Sequence, residues 1–161
     1  MFYGSSSGKT ESVAIRIYEK PGSPVTAIHD ISETSLAGMV NYRNLILGIP
    51  TWGLGEMQSD WLTALDVLEH LDMQERTVAL FGLGDQESYP DTFGDAMGRL
   101  YDILAGTGCR ITGKWNGADY HYERSKAFRG DGFVGLMLDE DNQAELTETR
   151  INRWLGTLNF T

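Results

Sequence analysis

The chain has 161 residues, which suits one domain (1–161) with a full core. Apolar residues make up 41% and charged residues 22%, and no apolar run approaches the ~20 residues of a membrane span, so we expect a soluble protein. A formal net charge of −10 and a sequence pI near 4.6 argue against nucleic-acid and anionic-membrane partners and favour basic proteins.

The amino terminus lacks the basic start and apolar stretch of a secretory signal, and the single Cys109 cannot form an internal disulfide. Both features indicate the cytoplasm. The three histidines, His29, His70 and His121, lie in unrelated segments, so we expect neither a metal site nor a catalytic triad.

Apolar runs and helical periodicities alternate along the chain. The runs with strand character are residues 1–3, 25–29, 44–49, 77–82, 109–115 and 133–138. Helical spacing of apolar residues covers 10–19, 59–70, 91–105 and 146–158. This alternation predicts an α/β fold with three layers, in which helices cover both faces of a parallel sheet. The two common doubly wound strand orders are both compatible with it.

Residues 116–131 interrupt the pattern. This segment, called the insertion below, is polar and separates two halves of what is otherwise one last strand. It carries His121, Arg124 and Lys126, and it either adds a partner contact or covers the edge of the sheet.

The phosphate loop, residues 4–10, joins the first strand to the first helix with the sequence GSSSGKT. Backbone N–H groups at a helix start, together with Ser and Thr hydroxyls, can surround a phosphate, and the helix dipole adds partial positive charge. Four hydroxyl residues in six positions exceed what helix capping needs. We therefore expect a bound anion here.

Two other nucleotide motifs fit less well. A nucleoside-triphosphate loop needs four residues between its first Gly and Gly-Lys-Ser/Thr, whereas three separate Gly4 from Gly8. No apolar strand ends in an Asp that can hold magnesium, because Asp85 lies three residues past Gly82. The Gly-x-Gly-x-x-Gly pattern of dinucleotide sites is absent after the first strand.

Two Gly-containing loops that follow the third and fourth predicted strands each carry one large aromatic residue. They are the Trp52 loop, residues 50–56, and the Tyr89 loop, residues 84–91. Ligands of open α/β sheets bind beyond the carboxyl ends of the strands, so both rings are expected to face one crevice. Two aromatic plates beside a single phosphate site favour a flat mononucleotide such as flavin mononucleotide (FMN).

Four segments together resemble the flavodoxin family. Residues 2–14 are similar to its phosphate-loop signature, residues 50–61 and 82–89 to its two flavin-flanking loops, and residues 133–143 to the end of its long-chain branch. The resemblance implies a doubly wound five-stranded parallel sheet of order 2-1-3-4-5, with an insertion splitting the last strand. The first strand lacks the family's apolar lead-in, so we expect the sequence to begin a few residues late.

The resemblance also implies FMN as cofactor. Ser and Gly residues of the phosphate loop, with Lys9 and Thr10, are expected to wrap its phosphate, while Trp52 and Tyr89 stack on its ring. The full expected cofactor-binding set is Ser5, Ser6, Ser7, Gly8, Lys9, Thr10, Pro50, Thr51, Trp52, Gly53, Leu54, Gly55, Gly82, Leu83, Gly84, Asp85, Tyr89, Phe93 and Asp95.

The function implied is that of a low-potential one-electron carrier, a monomer that shuttles electrons between a basic flavodoxin or ferredoxin reductase-like donor and acceptor enzymes. Carboxylates that follow the Trp52 loop are candidates for docking them: Glu56, Asp60, Asp66, Glu69 and Asp72. One alternative is an FMN-dependent NAD(P)H:quinone-type reductase. Another is a signalling receiver domain, which requires acidic residues after the first strand, where this chain has Tyr3-Gly4-Ser5.

Overall fold

The computed structural model describes residues 1–160, which form a mostly parallel sheet flanked by helices. The helices are α1 (Lys9–Glu19), α2 (Ser59–Glu69), α3 (Asp95–Ala105) and α4 (Thr147–Leu155), with short 3-10 turns at Leu36–Asn41 and Ala144–Leu146. The strands are β1 (Phe2–Tyr3), β2 (His29–Asp30), β3 (Asn44–Trp52), β4 (Glu56–Met57), β5 (Thr77–Leu83), β6 (Arg110–Thr112), β7 (Phe128–Arg129), β8 (Gly132–Phe133) and β9 (Leu136–Leu138).

The strand order confirms the predicted fold. Strands β2, β1, β3, β5 and β6 lie side by side in that order. This is the predicted order 2-1-3-4-5, because β4 is only a short strand that pairs with the end of β3. Strand β9 also pairs with β5. Strand β6 pairs in parallel with Thr77–Ala79 of β5, and β9 pairs in parallel with Phe81–Leu83. The last strand is therefore split into two pieces that lie along one edge of β5. Every residue of β5 is buried, because the sheet is covered on both faces.

Several predicted boundaries are wrong, and three of them have a clear physical cause. Strand β2 is His29–Asp30 instead of 25–29, because the two residues of β1 pair with these two positions, whereas residues 25–28 form no strand pair with β1 and Ala27 receives a hydrogen bond from the Met1 amino group at 2.6 Å. Helix α3 begins at Asp95 instead of residue 91, because the chain first makes a turn in which the N–H of Asp95 donates to the carbonyl of Thr92 at 3.1 Å. The run 133–138 is two strands, since Phe133 pairs antiparallel with Phe128 while Leu136 pairs with β5.

The insertion is packed onto the body of the protein. Phe93, at the start of the α3 region, lies 5.6 Å from the ring of Tyr120, 5.4 Å from that of Tyr122 and 6.2 Å from that of Phe133. The backbone N–H groups of Glu123 and Arg124 both donate to the carbonyl of Pro90, at 2.9 and 3.0 Å. The insertion is thereby attached to the Tyr89 loop.

None of the helices formed by residues 1–160 is long and apolar enough to cross a membrane.

Candidate functional site

A crevice of about 190 Å³ opens at the carboxyl ends of β1, β3 and β5, which are neighbours in the sheet. The sheet order brings the phosphate loop, the Trp52 loop and the Tyr89 loop to this one place. Thirteen of the nineteen predicted residues line it, together with two that were not predicted. The lining is Ser5, Ser6, Ser7, Lys9, Thr10, Pro50, Thr51, Trp52, Gly53, Leu83, Gly84, Asp85, Tyr89, Glu140 and Asp141.

The phosphate loop has the geometry of an anion site. Gly8, with a left-handed φ of 84°, occupies the N-cap of α1, and no side chain caps the helix. The Ser5 hydroxyl oxygen accepts from the N–H of Gly8 at 3.1 Å, which fixes the turn. The first-turn N–H groups of α1 consequently lack a side-chain cap, and these donors together with the helix dipole favour an anion.

Gln58 is a part of this site that the sequence analysis missed. It is the N-cap of α2, it is 2% exposed, and its side-chain Nε2 donates to the Ser6 hydroxyl oxygen at 3.0 Å. Because that bond uses an oxygen lone pair of Ser6, the hydroxyl proton is left to point toward an acceptor. The sequence gives no local signal for this role, because Gln is not a preferred N-cap residue and Met57 separates it from the Trp52 loop.

The Trp52 loop is a tight hairpin. Strands β3 and β4 pair antiparallel, with Trp52 opposite Glu56, and the N–H of Gly55 donates to the carbonyl of Trp52 at 3.0 Å. Gly53 adopts a left-handed φ of 45° in the connection. Trp52 keeps 43% of its surface exposed, which is high for an indole at the end of a buried strand.

The Tyr89 loop is held by Asp85. The Asp85 carboxylate accepts from the N–H of Ser88 at 2.9 Å, the N–H of Glu87 at 3.2 Å and the amide of Asn142 at 2.9 Å. Burial acts to raise the pKa of Asp85, but these hydrogen bonds outweigh it and the pKa lies below the ordinary value. Tyr89 remains 41% exposed at the rim of the crevice.

Two carboxylates from the turn after β9 complete the wall. The Lys9 ammonium forms an ion pair with Asp141, and Glu140 pairs with Arg16 at 3.2 Å. Lys9 is thus held between the phosphate loop and this turn. With Asp85, the charged groups of the lining are one cation and three carboxylates. The sequence signal was available, because Glu140 and Asp141 follow the last strand and must lie at the same edge of the sheet.

Six predicted residues are not part of the lining: Gly8, Leu54, Gly55, Gly82, Phe93 and Asp95. Phe93 is 1% exposed, within the aromatic cluster of the insertion. Asp95 is 4% exposed, and its carboxylate accepts from the N–H of Lys126 at 2.7 Å. Leu54 is 74% exposed and faces a neighbouring open cavity. Phe93 and Asp95 therefore hold the insertion instead of facing the crevice.

A larger cavity, of about 460 Å³, lies beside β6 and is lined by residues that include Tyr101, Thr112, Lys114 and Arg129. None of the three crevice loops reaches it. Lys114 and Arg129 are already paired with Asp131 and Asp102. Its size alone does not make it the functional site, because it lacks both a helix N-terminus and an aromatic pair.

Comparison with known proteins decides the family. Residues 1–154 match the flavodoxin family. The chain is 44% identical over 158 residues to a flavodoxin of Nostoc sp., covering 98% of this chain and 93% of that protein. It is 45% identical over 156 residues to flavodoxin 1 of Salmonella typhimurium, covering 96% and 89%. The chain belongs to the flavodoxin family.

Solved structures agree with this assignment. The crystal structure of Fusobacterium nucleatum flavodoxin bound to flavin mononucleotide has a TM-score of 0.90 and 31% identity, covering 96% of this chain and 92% of that one. Flavodoxins are electron-transfer proteins, so membership confirms the expected redox carrier in place of an enzyme. The reductase and receiver-domain alternatives are thereby set aside.

Proposed function

We propose that this flavodoxin-family chain is a long-chain type, FMN-binding, low-potential one-electron carrier. It acts as a single-domain monomer (1–161) in the cytoplasm and exchanges electrons with a basic reductase and with acceptor enzymes. The observation that supports it most is the joint placement of an uncapped, hydroxyl-rich helix start and two half-exposed aromatic rings in one crevice. The split last strand favours the long-chain type.

The crevice residues fit FMN. A single phosphate matches the one anion site, where the Ser5, Ser6, Ser7 and Thr10 residues and the start of α1 converge. Trp52 and Tyr89 would stack on the flat ring, which accounts for the large aromatic surface that both leave exposed. When bound, FMN supplies the one-electron chemistry, and the protein tunes it.

The protein makes electron uptake by the cofactor less favourable in two ways. Aromatic stacking disfavours added negative charge on the ring, and so do the carboxylates of Asp85, Glu140 and Asp141 in the crevice wall. One carboxylate ~10 Å away in water costs ~0.4 kcal/mol, or roughly 20 mV for one electron. Because Lys9 and Arg16 offset part of the charge of Asp141 and Glu140, the combined effect is smaller than three such contributions. The left-handed Gly53 lets the Gly53-Leu54 peptide reorient at small cost. Its carbonyl oxygen could then accept a hydrogen bond from a protonated ring nitrogen of the cofactor.

Partner docking is proposed to use the acidic face, defined by Glu56, Asp60, Asp66, Glu69 and Asp72. All of these except the half-buried Asp60 are exposed, and the exposed apolar residues Leu54 and Leu62 lie beside them. The cations of the chain are concentrated elsewhere, since residues 99–129 hold six of the thirteen Lys and Arg and only three Asp or Glu. A basic protein is therefore attracted toward the Trp52 side of the crevice.

The proposal is tested by reducing the FMN-loaded protein stepwise while its visible spectrum is recorded. We expect stoichiometric FMN, two separate one-electron steps, and no oxidation of NADPH by the pure protein. Failure to retain added FMN, or direct and rapid NADPH oxidation, would reject the carrier assignment.

Docking is tested separately through salt. Electron transfer from a basic reductase should slow as ionic strength rises, because salt screens exposed charges beyond ~10 Å. Asp66→Asn combined with Glu69→Gln should reduce that salt dependence. Glu145→Gln, an exposed carboxylate outside the acidic face, is the matched control and should leave it unchanged. Rates that stay flat in salt would reject steering.

A further inference from the structure

Asp139 is a fully buried carboxylate directly after β9, with 0% of its surface exposed. The N–H of Gly84, at the end of β5, donates to the carbonyl of Leu138 at 3.1 Å, so Asp139 lies beside the start of the Tyr89 loop. Within residues 1–160, no Lys, Arg or His forms an ion pair with it. A buried charge of this kind is costly unless hydrogen bonds satisfy it.

Five N–H groups provide that satisfaction, and all belong to the two loops that form one wall of the crevice. The backbone N–H and the side-chain Nε2 of Gln86 donate to Oδ2 at 3.1 and 2.9 Å. The backbone N–H groups of Asp141 and Asn142 donate to Oδ1 at 3.1 and 3.0 Å, and the Asn142 amide contacts both oxygens at 3.1 and 2.9 Å. An ionised carboxylate, which only accepts, satisfies every one of these donors.

The network extends to the groups that line the crevice. The Asn142 amide nitrogen that contacts Asp139 also donates to Asp85 at 2.9 Å, so one NH₂ group bridges two carboxylates. Asp85 in turn binds the Tyr89 loop, with the N–H of Tyr89 donating to the Asp85 carbonyl at 3.0 Å. The remaining polar atom of Gln86, its Oε1, accepts from the N–H of His121 in the insertion at 2.5 Å.

We propose that Asp139 is the positioning residue of the FMN site. It does not line the crevice itself; its carboxylate fixes the Tyr89 loop against the turn that carries Glu140 and Asp141, and through Asn142 it fixes the carboxylate of Asp85. Ring stacking on Tyr89 and the negative charge of the crevice wall both depend on this one buried group. The inference rests on the proposed function, because it assigns the network to FMN binding and to the potential.

Asp139→Asn tests this with almost no change in volume. Both carboxylate oxygens receive N–H donors, so either orientation of the amide places its NH₂ against other donors, and the network must open. We expect FMN to bind about tenfold or more weakly, and the second one-electron potential to rise because a fixed negative charge is lost. In the apo-protein, the backbone N–H groups of Gln86 and Asn142 should exchange with solvent faster.

The matched control is Thr77→Val, which removes the hydroxyl that accepts from Arg110 at 3.1 Å. Thr77 is 3% exposed and begins β5, at the end of the strand opposite the crevice. It should lower stability without changing FMN affinity, potential or exchange in the Tyr89 loop. If Asp139→Asn does not fold, Asn142→Ala replaces it, since this variant removes the bridging amide but keeps the buried charge.

The outcomes are separable. If the wild-type protein binds FMN and Asp139→Asn, or Asn142→Ala in its place, shows wild-type affinity and potentials, the inference is overturned while the carrier function stands. If the tested variant loses stability but keeps the wild-type FMN affinity and potentials, as Thr77→Val should, Asp139 is merely structural and the inference is likewise overturned. If the wild-type protein binds no FMN, both the inference and the proposed function fail.

Discussion

Replacing Gly53 by Ala tests whether the crevice requires the backbone shape of the Trp52 loop. Gly53 has a φ of 45°, which lies in the left-handed region. An L-residue pays about 1–2 kcal/mol there because its Cβ approaches the neighbouring carbonyl oxygen. If FMN binds only when the loop has this shape, the same energy appears as weaker binding, about 5–30-fold.

A second effect must be separated from the first. A Cβ at Gly53 would lie 2.5 Å from Oε2 of Glu56. Because this oxygen is the far end of an exposed, flexible side chain, it can move away at small cost. Gly53→Ala combined with Glu56→Ala should therefore bind FMN as weakly as Gly53→Ala alone. Gly53→Asn should retain most of the affinity, since Asn tolerates the left-handed conformation.

Quenching of flavin fluorescence on titration with apo-protein gives the dissociation constant of each variant. Gly38→Ala is the control, because the space around Gly38 is open and its φ is not left-handed. The reasoning fails if Gly53→Ala binds FMN as tightly as the wild type. It also fails if removing the Glu56 side chain restores the affinity, since a collision and not the dihedral angle would then be the cause.

Three further results are expected. Gly48→Ala should cost about 1–3 kcal/mol and lower Tm by roughly 2–12 °C in calorimetry, because its Cβ would lie 2.2 Å from the Phe81 ring; an unchanged Tm would show that the ring moves freely. Hydrogen bonds from Arg16, and more weakly from Lys20, hold the pKa of Glu148 below its ordinary 4.5. The contacts of the Glu148 carboxylate therefore stabilise the folded state above pH 4.5, and this stabilisation is lost as the pH falls through the lowered pKa. The difference in urea unfolding between wild type and Glu148→Gln should vanish on acidification, and a difference that persists at low pH would contradict this. Finally, FMN at a hundred times its dissociation constant should stabilise the protein by about 2.7 kcal/mol, and removing it should lower Tm, whereas equal Tm values would argue against specific binding.

The parts of the fold that the sequence predicts well are those dictated by local pattern. Strands β3 and β5 each contain a continuous apolar run, residues 45–50 and 78–83, as expected for strands buried on both faces, and their predicted starts at Asn44 and Thr77 are confirmed. The crevice follows from them, since loops after parallel strands meet at one edge of the sheet. Strand β2 has no such local signal, because its extent depends on the two-residue partner β1.

The position of Glu140 and Asp141 after the last strand could have placed them at the site, but the contacts that they make join distant parts of the chain. Lys9 and Asp141 are 132 positions apart, so no spacing rule connects them. Phe93 illustrates the opposite error. It follows Tyr89 closely and was expected to face the same ligand, but the turn before α3 sends its ring into the aromatic cluster with Tyr120. Nearness in sequence does not settle which side of a turn a residue occupies.

The split edge strand has a consequence for how such chains can vary in length. Strand β6 ends opposite Ala79, and β9 begins opposite Phe81. The segment between them, residues 113–135 and called the excursion here, therefore leaves and rejoins the sheet at a single gap in the register of β5. The excursion forms its own antiparallel hairpin, β7 with β8, and leaves the parallel pairing of the sheet intact. Because the parallel pairs on either side of the gap do not involve this segment, a change in its length can be absorbed there without shifting the strand register.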